Sequence, residues 1–442
     1  MEAYETACPC SSSRIETGII YCSIGSYQGR FSEYVKIVLM ELSNYTGGIE
    51  RKKEKTPLLR QRVAQIVDEH KLYLPDIRRD LLIESYCDAF IGYGILHPFI
   101  LDPSISDITV RGHKRIHLKR RGKWERVAGI AFESNQELLH YIMQRFGVLG
   151  SKLNYQHPFA DAADQTWKLR LNASISDINL DGPALTIRKH REEKFSVEDL
   201  REMGSFDERI EQLIQCYVQS LHNIGWIGPA GSGKTTTFSA FAERIPEEFQ
   251  TVSFEDTSEL NIRRKNHLSH LTRPETGEGG NAITMDMLAR NLLRESGDIP
   301  LVGEIRDGVA LTLLKLFGIG HDGGQFTMHA NNCMDAVNRY ADLAMEAESR
   351  YSLTELRELF SEWIHLFISM RKRKIMAIYE VLGWGYRKKK EIPHPVCTFN
   401  VEEETRDTVK GSWQLHRPSQ RFYDRCRWHG VVLPNFLEEL RT

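Results

Sequence analysis

The sequence predicts an α/β fold, with a parallel sheet and crossover helices behind a smaller α+β domain. Three observations predict it. From residue 223 onward, short apolar runs alternate with helical patterns. A glycine-rich loop of the form G-x-x-x-x-G-K-[ST] joins the first of these runs to its helix. Residues 58–190 begin with helical periodicity and then change to short strand-like runs.

In the helical part, Leu59, Val63, Ile66 and Val67 recur at three- and four-residue spacing, and residues 77–91 continue it. Gly92, Gly94 and Pro98 end that pattern. Strand-like runs follow at 106–110, 115–119, 124–127, 167–174 and 184–189, with a helix at 136–146. Helices are expected at 197–203 and 206–222. The expected domains are therefore an N-terminal extension (1–57), an α+β domain (58–190), a linker (191–205), the parallel-sheet domain (206–385) and a tail (386–442). Further basic runs stand at 371–374 and 387–390.

Composition bounds the function. The 442 residues suffice for two or three folded domains, with 41% hydrophobic and 27% charged residues. A net charge of -2 gives no bulk attraction to nucleic acid or anionic membrane. The eight cysteines are scattered, and Cys8 and Cys10 form only a C-x-C, so reduced thiols are expected rather than a metal site. No run approaches the ~20 apolar residues of a membrane span, and the N-terminus has no signal-peptide pattern. The expectation is a cytoplasmic protein that reaches the membrane through partners.

The loop is Gly228-Pro229-Ala230-Gly231-Ser232-Gly233-Lys234-Thr235, followed by Thr236. Residues 224–227 precede it as a short strand, and 235–244 follow as a helix. Its glycines let backbone N–H groups face phosphate oxygens at a helix N-terminus. Lys234 supplies a cation to the β- and γ-phosphates of ATP, and the Thr235 hydroxyl suits Mg²⁺.

Three later strand-like runs end in chemically able side chains. Residues 250–254 deliver Glu255 and Asp256, residues 299–302 deliver Gly303, Glu304, Ile305, Arg306 and Asp307, and residues 324–328 deliver His329. Ligands of parallel α/β sheets bind at the carboxyl ends of strands, so all three are expected beside the loop. Either glutamate can orient the attacking water or hold Mg²⁺ through its water shell. The preferred assignment gives water to Glu304 and a joint catalytic and metal-linked role to Glu255. His329 suits contact with the γ-phosphate.

The order of phosphate loop, Glu255-Asp256-Thr257, Gly303-Glu304-Ile305-Arg306 and Thr327-Met328-His329-Ala330-Asn331 resembles the type II/IV secretion ATPases. Gly303 stands where an aspartate is usual in a Walker B segment. Gly94-Ile95-Leu96-His97-Pro98, Ser106-Asp107-Ile108 and Leu180-Asp181-Gly182-Pro183 are similar to the CpaF/TadA branch, which powers Tad (Flp) pilus assembly. The resemblance implies a RecA-like ATPase domain joined to the N-terminal domain, with nucleotide between them. It further implies a homo-hexamer acting on an inner-membrane platform protein, and phosphate contacts from Arg170 and Arg188. A planar permanent cation suits charge developing on the γ-phosphoryl group. Two alternatives stand beside it, a DNA-translocating or conjugation-associated ATPase and a small-molecule P-loop kinase.

Overall fold

The computed structural model describes residues 28–44, 56–75, 77–120, 122–189, 194–273, 281–306, 308–347, 350–382, 393–406 and 408–441. Cys8, Cys10, Asp307, the Arg and Lys residues of 387–390 and most of the expected extension lie outside them. The chain divides into two compact units that meet in sequence near residue 191.

The first unit opens with helices α1 (Gln28–Asn44), α2 (Pro57–Glu69), α3 (Arg79–Ile91) and α4 (His97–Leu101). Strands β1 (Ile105–Arg111), β2 (Arg115–Arg120) and β3 (Lys123–Arg126) precede α5 (Asn135–Val148). Strands β4 (Phe159–Asp164), β5 (Leu169–Ser174) and β6 (Ala184–Lys189) complete it. The six strands form one sheet in the order β3-β2-β1-β6-β5-β4, and every neighbouring pair is antiparallel. The extension differs from expectation. Phe31, Val35, Val38 and Leu42 of α1 are buried in the same core as Val63, Tyr86 and Ile108. From the sequence only residues 34–42 read as helical, because Gly29 and the glycines on either side interrupt the pattern.

The second unit contains α6 (Val197–Glu202), α7 (Glu208–Gln219), β7 (Ile224–Ile227), α8 (Lys234–Ala242), β8 (Thr251–Glu255) and β9 (His267–Leu271). It continues through α9 (Met285–Asn291), β10 (Ile299–Val302), α10 (Val309–Gly318), β11 (Gln325–Met328), α11 (Cys333–Glu346) and α12 (Leu353–Trp363). The last elements are β12 (Leu366–Arg371), β13 (Lys374–Glu380), β14 (His394–Glu404), β15 (Val409–Leu415), α13 (Gln420–Trp428) and α14 (Asn435–Glu439). One nine-stranded sheet runs β15-β14-β13-β12-β7-β11-β10-β8-β9. From β9 to β12 all neighbours are parallel, and from β12 to β15 they are antiparallel. Strands β7, β10 and β11 are buried along their whole length, as expected when helices cover both faces.

Two expected boundaries change. Val197 and Leu200 of α6 are buried with Phe206 and Phe238 in the second core, so α6 belongs to that unit and not to a linker. The described part of the tail also belongs to it. Strands β14 and β15 extend the sheet, and Phe422 and Cys426 of α13 are buried. Arg425 fixes α13 to the sheet floor, donating to the Leu221 carbonyl at 2.6 Å and pairing with Asp322 at 3.1 Å. No helix among the described residues is long and apolar enough to cross a membrane.

Candidate nucleotide site

Strand direction assembles the site. Because β7, β8, β10 and β11 are parallel, their carboxyl ends reach one edge of the sheet. Residues 228–233 leave β7 as a loop and Gly233 starts α8. Gly228 has φ +147°, and a Cβ there would stand 2.2 Å from the Met370 carbonyl oxygen. Only glycine fits that close approach. Gly233 has φ +99° as it turns the chain into the helix.

Lys234 is buried, and its Nζ donates to the carbonyls of Gly228 at 2.8 Å and Pro229 at 2.9 Å. Burial lowers its pKa, and the nearby Glu304 and Glu259 oppose that shift. The Ser232 hydroxyl oxygen is buried with no hydrogen-bond partner among the described residues. An orphan donor beside a buried cation fits an anion such as phosphate. Thr235 is half-buried, while Pro229, Ala230, Gly231 and Thr236 are exposed. A cleft of about 450 Å³ opens beside Gly228 and Pro229, walled by His329, Asn331 and residues Asp335 and Arg339 of α11.

Four strand ends are linked through side chains. His329, one residue past β11, has Nδ1 3.4 Å from Lys234 Nζ and Nε2 3.2 Å from Glu304 Oε1. A ring with its hydrogen on Nε2 satisfies both contacts, accepting from the lysine and donating to the carboxylate. Glu304 also pairs with Arg306, which approaches Asp256 at 3.7 Å. The imidazole thus couples the loop lysine to the carboxylate two strands away. A carboxylate held this way can accept a proton from a water placed against it.

Glu255 is in a different state. It is 1% exposed, and its Oε1 accepts from the backbone N–H groups of Glu259 at 2.9 Å and Leu260 at 2.7 Å. Its Oε2 is buried with no partner among the described residues. Burial pushes its pKa up to about 8, although the two backbone hydrogen bonds oppose the shift. Gly303 explains part of this packing. A Cβ there would lie 3.0 Å from Glu255 Cγ and 3.2 Å from its Oε1, so the usual aspartate would displace the glutamate.

The raised pKa has a sign. Folding favours neutral Glu255, so its contribution is most favourable below about 4.5 and is lost as pH rises toward 8. At pH 7 the cost approaches roughly 3 kcal/mol, from ~2.5 pH units at ~1.36 kcal/mol each. An unpaired amide offsets part of the gain from Glu255→Gln. The expected net is a rise of about 1–2 kcal/mol at pH 8, or roughly 3–6 °C in the unfolding midpoint. The rise should shrink toward pH 5. Parallel midpoint-against-pH curves for the two proteins would count against a neutral buried Glu255.

Lys234, Glu255, Glu304 and His329 therefore share one strand edge. Arg170 and Arg188 belong to the first unit. They are direct cross-strand neighbours on β5 and β6, and Asp107 of β1 faces Arg188 on the other side. Two like charges side by side on a sheet disfavour each other and suit an added anion. The strand-end pattern by itself places neither Arg306 nor Asp256 in this network. The two-residue offset from Glu304 to Arg306 was the available signal.

With this geometry in place, comparison with known proteins gives the family. The model of the type II/IV secretion system protein family matches residues 91–369. The chain belongs to this family. Its fold meets the expectation of an α/β class, with an antiparallel α+β unit followed in the chain by a unit built on a largely parallel sheet. Among curated relatives of this secretion-family chain, the conjugal transfer protein TrbB of Rhizobium radiobacter is 27% identical over 291 residues, covering 64% of this chain and 85% of that protein. The type IV secretion system protein VirB11 of Bartonella henselae is 28% identical over 235 residues, 44% of this chain and 66% of that one. Among solved structures, the ATPase DotB of Legionella pneumophila aligns with TM-score 0.44 at 17% identity, over 62% of this chain and 74% of its own.

Proposed function

We propose that this secretion-family chain hydrolyses ATP as a homo-hexamer and uses the energy to assemble a Tad-type pilus or to move protein across the cell envelope. One observation carries the reading, the bridge from Lys234 through His329 to Glu304. In this proposal Glu304 orients and deprotonates the attacking water. Lys234 and the N–H groups of the loop bind the β- and γ-phosphates. His329 senses the γ-phosphate through its contacts with Lys234 and Glu304. Arg170 and Arg188 supply cations to the phosphates from the N-terminal domain.

Mg²⁺ would be held by the Thr235 hydroxyl and, through water, by Glu255. The buried, unpartnered Oε2 of Glu255 fits such a neighbour. When bound, the ion neutralises phosphate charge. Burial raises the pKa of this carboxyl, and a nearby cation would favour its charged form. The motor works at the inner face of the membrane by binding a platform protein there.

A second reading is favoured by the names of the relatives: a conjugation-associated or DNA-translocating ATPase, since TrbB is a conjugal transfer protein. One experiment separates the two. The mass of the full chain is measured in solution with a non-hydrolysable ATP analogue, and ATP turnover is measured with and without DNA at low and high salt. A hexamer whose turnover ignores DNA is expected. Stimulation that falls steeply with salt supports the second reading. A stable monomer contradicts the ring.

A further inference from the structure

The basic run at 371–374 occupies a place its composition does not suggest. Strand β12 is parallel to β7, with Ser369 opposite Ile227, so its carboxyl end arrives beside the phosphate loop. There Arg371 pairs with Lys374 across a two-residue turn made of Lys372 and Arg373. Both turn residues have left-handed backbone, at φ +50° and +64°. Such a turn ordinarily takes Asn-Gly, and two long side chains there are strained.

The turn is tied to the loop. The Arg373 backbone N–H donates to the Ser232 carbonyl at 2.9 Å. A Cβ built on Gly233 would touch Arg373 Cα at 3.5 Å and its Cβ at 3.8 Å. The other three cations of the run are occupied. Arg371 and Lys372 hold Glu404 of β14, at 3.2 Å and 2.8 Å. Lys374 donates to the Gly204 carbonyl and lies 5.2 Å from the Trp413 ring centre. Arg373 is exposed, and it alone of the four has no side-chain partner among the described residues.

We propose that Arg373 is a phosphate ligand of the nucleotide site, its guanidinium held at the phosphate loop by a strained turn that Glu404 clamps. The assignment rests on the ATPase reading and adds a residue beyond the part matched by the family model, which ends at 369. Strain at an exposed turn is kept where a side chain must stand at one place, and a permanent planar cation suits a di- or triphosphate. The anchoring hydrogen bond uses the backbone, so changing the side chain leaves the turn attached.

The test uses the full chain and three variants, Arg373→Ala, Arg373→Gly and Arg373→Lys. Each is titrated with a fluorescent ADP analogue, competed with inorganic pyrophosphate, and melted. Arg373→Ala and Arg373→Gly are expected to bind about 10-fold more weakly, a typical loss for one charge-assisted contact. Arg373→Lys should recover part of the affinity, and pyrophosphate competition should weaken in step. The unfolding midpoint of Arg373→Gly should stay level or rise, because glycine adopts φ +64° without strain. Unchanged affinity in the alanine and glycine variants overturns the assignment alone. So does a lowered midpoint in Arg373→Gly, which would mean a structural role, or a loss confined to ADP, which would mean a base contact. A wild-type chain that binds no ADP analogue overturns the ATPase reading as well.

Discussion

Replacing Lys234 with alanine should lower ATP turnover by at least ~10²-fold, with nucleotide affinity falling too. Lys234 Nζ is the buried cation of the loop and spans the Gly228 and Pro229 carbonyls. Its removal takes this donor from both carbonyls, leaving Pro229 the Ser232 backbone N–H, and leaves Ser232 without a neighbouring charge. Arginine should not restore turnover. Its planar guanidinium cannot occupy a buried position shaped for a compact ammonium between two carbonyls and an imidazole. Both variants should still fold, since the apolar core around β7 does not include this side chain. Phosphate release and analogue binding, measured on the same preparations, check this. Turnover within about twofold of wild type in Lys234→Ala would remove the lysine from the mechanism.

Glu304→Gln should separate binding from chemistry. Glutamine keeps the length of the side chain but accepts no proton. Turnover should fall ~10²–10⁴-fold, the usual range for a lost general base. ATP affinity should stay within a few-fold, because the loop and Lys234 remain. His329→Asn should give a loss of similar direction, and the double variant should lose little more than Glu304→Gln alone. Residues that act as one unit are non-additive in this way. Additive losses would mean that His329 and Glu304 work independently, despite their 3.2 Å contact.

The parallel half of the second unit was legible because its strands are short apolar runs between turn signals. Runs at 224–227 and 299–302 match β7 and β10 to the residue, and 250–254 and 324–328 match β8 and β11 within one. Strand ends place side chains, so Glu255, Glu304 and His329 followed from the strands. What was illegible depends on packing. The ionisation state of Glu255 comes from its burial, which two backbone N–H groups oppose, and no motif encodes either. Strand β14 ends in a run of charged residues, and β4 is half-exposed, so neither has the apolar signature of an interior strand. Helix α1 was visible only in part, because Gly29 lies inside its first turn. The role of Arg373 depends on β12 being parallel to β7, which no local pattern reveals.

ATP hydrolysis at these strand ends can be read from its products. The most direct measurement is phosphate release by the purified full chain with ATP and Mg²⁺ at neutral pH, alongside Glu304→Gln. Wild type should give inorganic phosphate and ADP in equal amounts, and Glu304→Gln should bind ATP and release almost none. Bound ATP with no phosphate released by wild type, or equal release by both proteins, would contradict hydrolysis at these strand ends.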